Sequence, residues 1–549
     1  MRKACLGIIL ALIGIAFSQA SCSSECKDRN GSTFCKHYKG LCATNFSIKQ
    51  ACQKTCGLCD GGGGGGGGDG ETPMDCDVGI VGGGLAGLYM AESLLRHKKE
   101  TKVCVFERDT RLGGRIYDYV FPQVPDESVG LGAWRVDMVH YNMRNILSRL
   151  NIPHKEWNFY SNPRTECRGG FSRDQHEIKR KYFPALTLGK FKDMTCSQML
   201  DFLLKKEHRA QMHNFATFET FQHHFLTPEG SRFYFDVFGY DGDLKGSPEG
   251  VVEYYEQLAK LSGKEIRPLK GMSAFVDAVA KSAKSLGAKI FLGGDNKVLS
   301  MNKQANQFVL KTPKHEVKVD KLVIAAPPGS FGKVSGSVAE RIQRENAFQS
   351  ILPRPAFKGA AVYPRAWWDE IMDPKDKLHP MERFLSNSDC LGWSLPHSGR
   401  GQNGEAVLHV SYKDGACGEK WGEILKLPKH IMDQEIHRAL EYKFNRKIPQ
   451  PLSTVYQYWD EGAWYLQKPG SRVSMKQVTD WAKRPFPGEQ IYVVGSAYHP
   501  YRGYAEGAIM SANNALNNGW QIPIPSRPRH FQRIHIPKSF AEVDWRNIR

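Results

Sequence analysis

The sequence predicts an α/β fold, α+β over the whole chain, and three observations carry that prediction. Asp77–Arg115 reads as a short apolar strand, a glycine turn, an amphipathic helix and a second strand. Short apolar runs of strand type return at Leu322–Ala326, which meets Pro327-Pro328, and at Ile491–Gly495. Seven cysteines crowd the stretch from Cys22 to Cys59, where apolar residues are too few for a core, so a small cross-linked module precedes the main body.

Within Asp77–Arg115, Val78, Ile80 and Val81 form the first strand. Gly82-Gly83-Gly84-Leu85-Ala86-Gly87 forms the turn. Leu88, Met90, Ala91, Leu94 and Leu95 follow at helical spacing, and Val103–Phe106 leads to Glu107. This is the order of a dinucleotide-binding βαβ unit. Gly82 permits the tight turn, Gly84 a close approach of backbone to pyrophosphate, and Gly87 close helix–strand packing. The helix start offers N–H groups and a positive dipole end to phosphates, and Glu107 stands where an acid accepts from ribose hydroxyls.

The N-terminus reads as a secretory signal. Arg2 and Lys3 precede the apolar run Leu6–Phe17, which is shorter than a membrane span, and Ser18-Gln19-Ala20 offers a cut at Ala20/Ser21. A secreted, extracellular protein follows, and cysteine density agrees with an oxidising compartment. Residues 22–59 are the disulfide module and 60–72 a linker built on the glycine run Gly61–Gly68. Residues 73–521 are the main body, and 522–549 a Pro- and Arg-rich tail. A helical insertion over about 182–261 is predicted from Met199, Leu200, Phe202 and Leu203, and reads as a lid or entrance. The strand-type runs Lys289–Leu292 and Gln307–Lys311 lie beyond it, and a helix is expected over Ala505–Asn518. Asn30 and Asn45 head glycosylation sequons. Cys22 has three candidate partners: Cys76, Cys167 and Cys196.

The net charge of +18 comes from scattered lysines and arginines with no nucleic-acid motif, so it favours solubility and attraction to acidic surfaces over DNA or RNA binding. No metal site is predicted: His223-His224 would point to different faces of a helix, and no Cys/His set outside the cysteine module has ligand spacing.

The cysteine spacing, with Cys26-Lys-Asp28 opening it and Cys52-Gln-Lys-Thr-Cys56-Gly-Leu-Cys59 closing it, resembles the ShKT module of sea-anemone toxins. That resemblance implies the pairs Cys26–Cys59, Cys35–Cys52 and Cys42–Cys56. Channel-blocking members carry a Lys-Tyr pair in the segment that here runs Ala43–Ala51, which has no tyrosine, so docking to a surface or matrix partner is the expected role.

Leu112-Gly-Gly-Arg115, added to the glycine loop and Glu107, resembles the flavin amine oxidase family, as does the distant Gly495 with Gly503-Tyr504-Ala505-Glu506-Gly507-Ala508. The resemblance implies a Rossmann-like FAD domain interleaved with a mainly antiparallel substrate domain. It puts Gly82, Gly84, Gly87 and Arg115 at the pyrophosphate, Glu107 at the ribose, Val298 at the adenine and Gly507 at the flavin. Leu85, Ala86, Arg108, Gly132, Ala133, Trp134, Arg135, Gly503, Tyr504, Glu506 and Ala508 are also carried over as cofactor contacts. Ser496 stands where the family commonly has Asp or Glu on the ribityl chain, which implies weaker FAD binding. No cysteine follows Cys417, so non-covalent FAD is expected.

Leu131-Gly-Ala-Trp134-Arg135 resembles the L-amino-acid oxidase run whose arginine pairs with the substrate carboxylate. Lys358 matches the family lysine that holds a water against the flavin. Trp464 and Tyr504, with Gly503, would frame the amine. The implied activity is deamination of an L-amino acid by dioxygen, giving a keto acid, ammonia and hydrogen peroxide; the resemblance also allows a homodimer. Two alternatives stay open: a polyamine or monoamine oxidase, and a weakly active or inert matrix or adhesive protein.

Overall fold

The computed structural model describes residues 74–526, apart from 158–163, 168–169, 239–240, 263, 372–383 and 387–389. The expected signal, the cysteine module with its pairings and sequons, the glycine linker and the tail beyond residue 526 lie outside the described residues.

Val78–Val81 is the middle strand of a five-stranded parallel sheet. The strand order is Lys289–Leu292, Val103–Glu107, Val78–Val81, Lys321–Ile324, Ile491–Val493. Val78 pairs with Val103 on one side and Lys321 on the other. Period-two alternation sends side chains to two cores. Val78, Ile80, Val103 and Val105 join the layer of helices Leu85–His97, Ser273–Ser285 and Ala505–Trp520. Val81, Cys104, Phe106 and Ile324 face Leu310, Val317 and Val319 of a three-stranded antiparallel sheet. Both faces are covered, which is why these strands read as unbroken apolar runs.

A seven-stranded mixed sheet makes the second body. Its long strands, Ser453–Gln467, Ile351–Tyr363, Ala406–Asp414 and Gly392–Arg400, pair antiparallel in that order. Phe384–Ser386 runs parallel to Arg164–Cys167, and Gly170–Ser172 forms the far edge. The helical insertion begins earlier than expected, at Gln175–Tyr182, and runs through Pro228–Phe238 to Pro248–Leu258. Its start was hidden because Gln175–Tyr182 is mostly charged and is set by Asp174, whose carboxylate caps His176 N.

Two disulfides join described cysteines, Cys76–Cys104 and Cys390–Cys417. Cys76 is thus engaged within the main body and is not the partner of Cys22. No helix among the described residues is long and apolar enough to cross a membrane.

Candidate active site

The carboxyl ends of the parallel strands open on a cavity of about 520 Å³ that reaches the long-stranded sheet, within the roughly 300–1,000 Å³ of small-molecule sites. At its floor the glycine loop turns sharply. Gly82 has φ +116°, and a Cβ there would lie 2.6 Å from Ala325 O. A Cβ on Gly87 would lie 2.1 Å from Gly82 O, so the helix can approach the turn only with glycine at that place. Gly84 differs: the nearest atom to its Cβ position is Gly114 Cα at 3.9 Å, and its bare backbone faces the cavity. It caps helix Leu85–His97 with no side-chain hydrogen bond and no acid in the first turn, so the positive end of the helix is not neutralised locally.

Glu107 closes the second strand and lines the cavity. Its carboxylate accepts from Gly83 N at 2.7 Å and Asp109 N at 2.9 Å. Burial raises its pKa against those two N–H bonds. Arg108, also on the wall, is bound in a fork to Glu461, with Nη1 at 3.1 Å and Nη2 at 2.7 Å from its oxygens. Burial works on Glu461 in the opposite sense, but Arg108, Lys333 and Ser330 hold its carboxyl at about 2.

Arg115 donates to Ala463 O at 3.1 Å and to Ser496 Oγ at 3.0 Å, and lies over the Tyr465 ring at 4.8 Å. Both hydrogen-bond partners are neutral. An acid at 496 would instead pair with this guanidinium. Of the positions that the resemblance carries over as cofactor contacts, Val298, Leu85, Ala86, Gly132, Ala133, Gly503 and Ala508 are on the cavity wall. Gly87, Glu506 and Gly507 are not; they shape it from behind. Glu506 accepts from Asn142 N, Asn142 Nδ2 and Met143 N at 2.7–3.0 Å, pinning helix Tyr141–Arg149 to the last helix. Gly507 lies against Tyr501 O, which a Cβ would approach to 2.2 Å.

The other end of the cavity is one face of the long-stranded sheet. Register puts Lys358 between Tyr412 and Gln457, and Ala356 between Asp414 and Trp459, and all six line the cavity. Lys358 is 6% exposed. Its Nζ donates to Gly132 O at 2.7 Å and lies 4.6 Å from the Trp134 ring centre and 4.5 Å from that of Tyr412. Burial, with Arg135 and Arg267 nearby, lowers its pKa to about 7.

Arg135 is on the wall but paired: Nη1 lies 2.7 Å from Glu265 Oε1, and both side chains are about 5% exposed or less. It also acts electrostatically on Lys358 and on Tyr504, so it stands near both. Trp464 stacks on Tyr254 with centroids 5.5 Å apart, and Tyr504 meets His140 at 5.0 Å. Burial pushes the Tyr504 hydroxyl well above its usual range.

Sequence reasoning missed Tyr254, Tyr412, Asp414, Gln457 and Trp459 on this wall. Tyr412 and Asp414 carried a signal, since they alternate along a strand that places Lys358 opposite. Tyr254 carried none, because its helix belongs to the insertion. His223 and His224 are exposed on helix Phe218–Phe225 and do not line the cavity. Among the described residues no group of three His, Cys, Asp or Glu is placed to hold a metal ion.

Residues 85–515, most of the chain, match the family model of flavin containing amine oxidoreductases. The chain belongs to that family. The oxidoreductase also carries a ShK domain-like module at residues 25–59. It is 25% identical over 521 residues to achacin of Lissachatina fulica, covering 80% of this chain and 92% of that protein. It is 22% identical over 530 residues to aplysianin-A of Aplysia kurodai, covering 82% and 92%. Among solved structures, cyclohexylamine oxidase from Brevibacterium oxydans IH-35A superposes with a TM-score of 0.62 at 15% identity, over 82% of this chain and 99% of that one, which speaks for the fold alone.

The residues present fit a flavin dinucleotide. The bare backbone at Gly84 and Gly114 is a cradle that side chains would fill, Arg115 brings a charge with neutral partners, and Glu107 stands at the strand end. A pair of variants separates cradle from scaffold in this oxidoreductase. Gly84→Val should purify colourless with a melting temperature close to that of the cofactor-stripped wild type. Gly87→Ala, whose Cβ meets Gly82 O, should also lose about 1–3 kcal/mol of apoprotein stability, measured by denaturant unfolding.

Proposed function

We propose that this chain is a secreted FAD-dependent oxidase that deaminates L-amino acids, holds FAD non-covalently, and yields keto acid, ammonia and hydrogen peroxide. The observation that carries the reading is the juxtaposition of Lys358, Arg135 and Tyr504 on one wall of the flavin cavity. When bound, the flavin supplies a two-electron acceptor for hydride from the α-carbon of an amine, and passes the electrons to dioxygen.

The protein's part is binding and orientation. Gly82 and Gly84 with the helix start would hold the pyrophosphate, Glu107 the ribose and Val298 the adenine. Ser496 leaves the Arg115 charge to the phosphates, where an acid would compete for it. Arg135 would meet the substrate carboxylate, since its planar guanidinium can engage more than one acceptor and stands on the cavity wall. Tyr504 and Trp464, the latter backed by Tyr254, would fix the amine-bearing carbon between flat faces. Lys358 would hold a water at Nζ, and near neutral pH it can take or give a proton there. The ShK domain-like module supports a tethering role on a matrix or cell surface.

A second reading, oxidation of amines without a carboxylate, is favoured by the Arg135–Glu265 pair, which offsets the charge a carboxylate needs. Substrate stereochemistry tests the first reading. Ammonia and peroxide should form in equal amounts from L-amino acids and not from D-amino acids. Peroxide formed only from simple amines would establish the second.

A further inference from the structure

Behind Lys358, away from the cavity, lies a set of buried polar groups that the oxidase reading leaves unused. His409 sits on the strand next to Lys358, opposite Ala360, and is 1% exposed. Neither of its ring nitrogens has a hydrogen-bond partner. His397 is fully buried; its Nδ1 lies 3.0 Å from Glu127 Oε1, and its Nε2 has no partner. The two imidazoles are nearly parallel, 11° apart, with centroids separated by 6.2 Å. Trp134 adjoins both Lys358 and His409: its ring centre is 4.6 Å from Lys358 Nζ and 5.4 Å from that of His409. Glu127 also accepts from Gly399 N at 3.0 Å, has Arg267 at 3.8 Å, and is 13% exposed.

Leaving a buried nitrogen unpaired costs about 1–3 kcal/mol. Three such nitrogens in two neighbouring rings, too far apart to bond each other directly, mark a place for internal water. We propose that water bridging His409 and His397 forms a proton relay between Lys358 at the cavity and Glu127 at the surface.

The inference rests on the oxidase reading for its use, and the chemistry balances. An amine that enters as ammonium releases one proton when it becomes an iminium. Reduction of dioxygen to hydrogen peroxide takes that proton back. On the way out, an N–H bond of the Lys358 ammonium breaks as the proton passes to water and then to a nitrogen of His409. His409 releases its own N–H proton from the other nitrogen, through water, to His397 Nε2. His397 gives its Nδ1–H to the Glu127 carboxylate, which yields it to solvent. No electrons move, each ring ends as its other tautomer, and the inward passage restores it. The charged groups facing the relay are Lys358, Arg135, Arg267, Asp118 and Glu127; burial, with smaller contributions from Lys358, His397 and Arg267, disfavours the charged form of His409.

The test uses the full-length, flavin-loaded protein and two readouts. The first is a crystal structure that resolves ordered solvent: waters joining His409 to His397 support the relay, and a dry gap overturns it. The second separates the half-reactions. His409→Phe should slow the return of yellow colour on mixing substrate-bleached protein with dioxygen about tenfold. The same variant should slow anaerobic bleaching where the substrate enters as ammonium, and leave it within about twofold of wild type above the pKa of the substrate amine, where the amine enters neutral and releases no proton. Glu127→Gln, which removes the terminal acceptor and keeps its shape, should reproduce the same pattern if His409→Phe does not fold. Unchanged recovery of colour, or slowing of bleaching that is the same for neutral amine and ammonium, overturns the relay. Failure of every amine to bleach the wild type would instead sink the oxidase reading, and the solvent structure would still decide the relay.

Discussion

Lys358→Met is expected to slow reaction of the reduced protein with dioxygen about a hundredfold, the scale on which single electrostatic groups act in catalysis. Bleaching by substrate that enters as the neutral amine should be nearly unaffected. The Lys358 ammonium is wedged between Trp134 and Tyr412 on the cavity face, and a methionine of similar length keeps the packing while removing the charge. The substitution should not weaken the fold. Burial lowers the lysine from its usual 10.5 to about 7, so between those values the unfolded chain binds more protons than the folded one. Stability therefore rises with pH across that window, and below about pH 7 the full cost of burying the charge remains. Methionine abolishes that cost, offset by loss of the Gly132 O hydrogen bond. The expected net gain is roughly 1–2 kcal/mol at pH 7. Denaturant unfolding at pH 7 and pH 10 checks this: wild type should gain stability toward pH 10 relative to the variant, and a parallel response would contradict the burial argument.

Arg135→Ala is expected to raise the Michaelis constant for an L-amino acid by about two to three orders of magnitude, as for a lost charge-assisted bidentate contact in a buried site. The matching decarboxylated amine should change by less than about threefold. The variant carries a structural hazard: it strands Glu265 in the interior, which costs about 3–5 kcal/mol. Arg135→Gln combined with Glu265→Gln removes both charges and keeps two hydrogen-bonding groups, so it isolates the substrate effect from the folding effect. Equal losses on acid and amine in that double variant would assign Arg135 to the fold alone.

The family was legible in the sequence, because glycine spacing and the acid at Glu107 follow from backbone geometry that tolerates few substitutes. Gly82 and Gly87 are forced by atoms 2.6 and 2.1 Å from where a Cβ would stand. The sheet that carries Lys358 was legible only in pieces. Its wall is assembled by cross-strand register, and the residues that meet there, Gln457, Lys358 and Tyr412, stand 45 or more positions apart in the chain. Tyr254 came from a helix whose sequence looks like any packed amphipathic helix. Glu506 looked like a cofactor contact because it sits inside a glycine-rich motif, yet its carboxylate caps a neighbouring helix. The Glu265 partner of Arg135 was invisible for a different reason: a lone carboxylate on the short strand Glu265–Pro268 carries no local pattern that announces a buried ion pair.

Lys358, Arg135 and the aromatic wall are proposed to serve oxidation of an L-amino acid at a bound flavin. Anaerobic titration of the purified, yellow protein with an L-amino acid decides whether they do. The flavin band should bleach with one equivalent of substrate and return on admission of air, with one equivalent of peroxide. A protein that is yellow but does not bleach with L-amino acids or amines, or one that purifies colourless and takes up no FAD, would contradict that role.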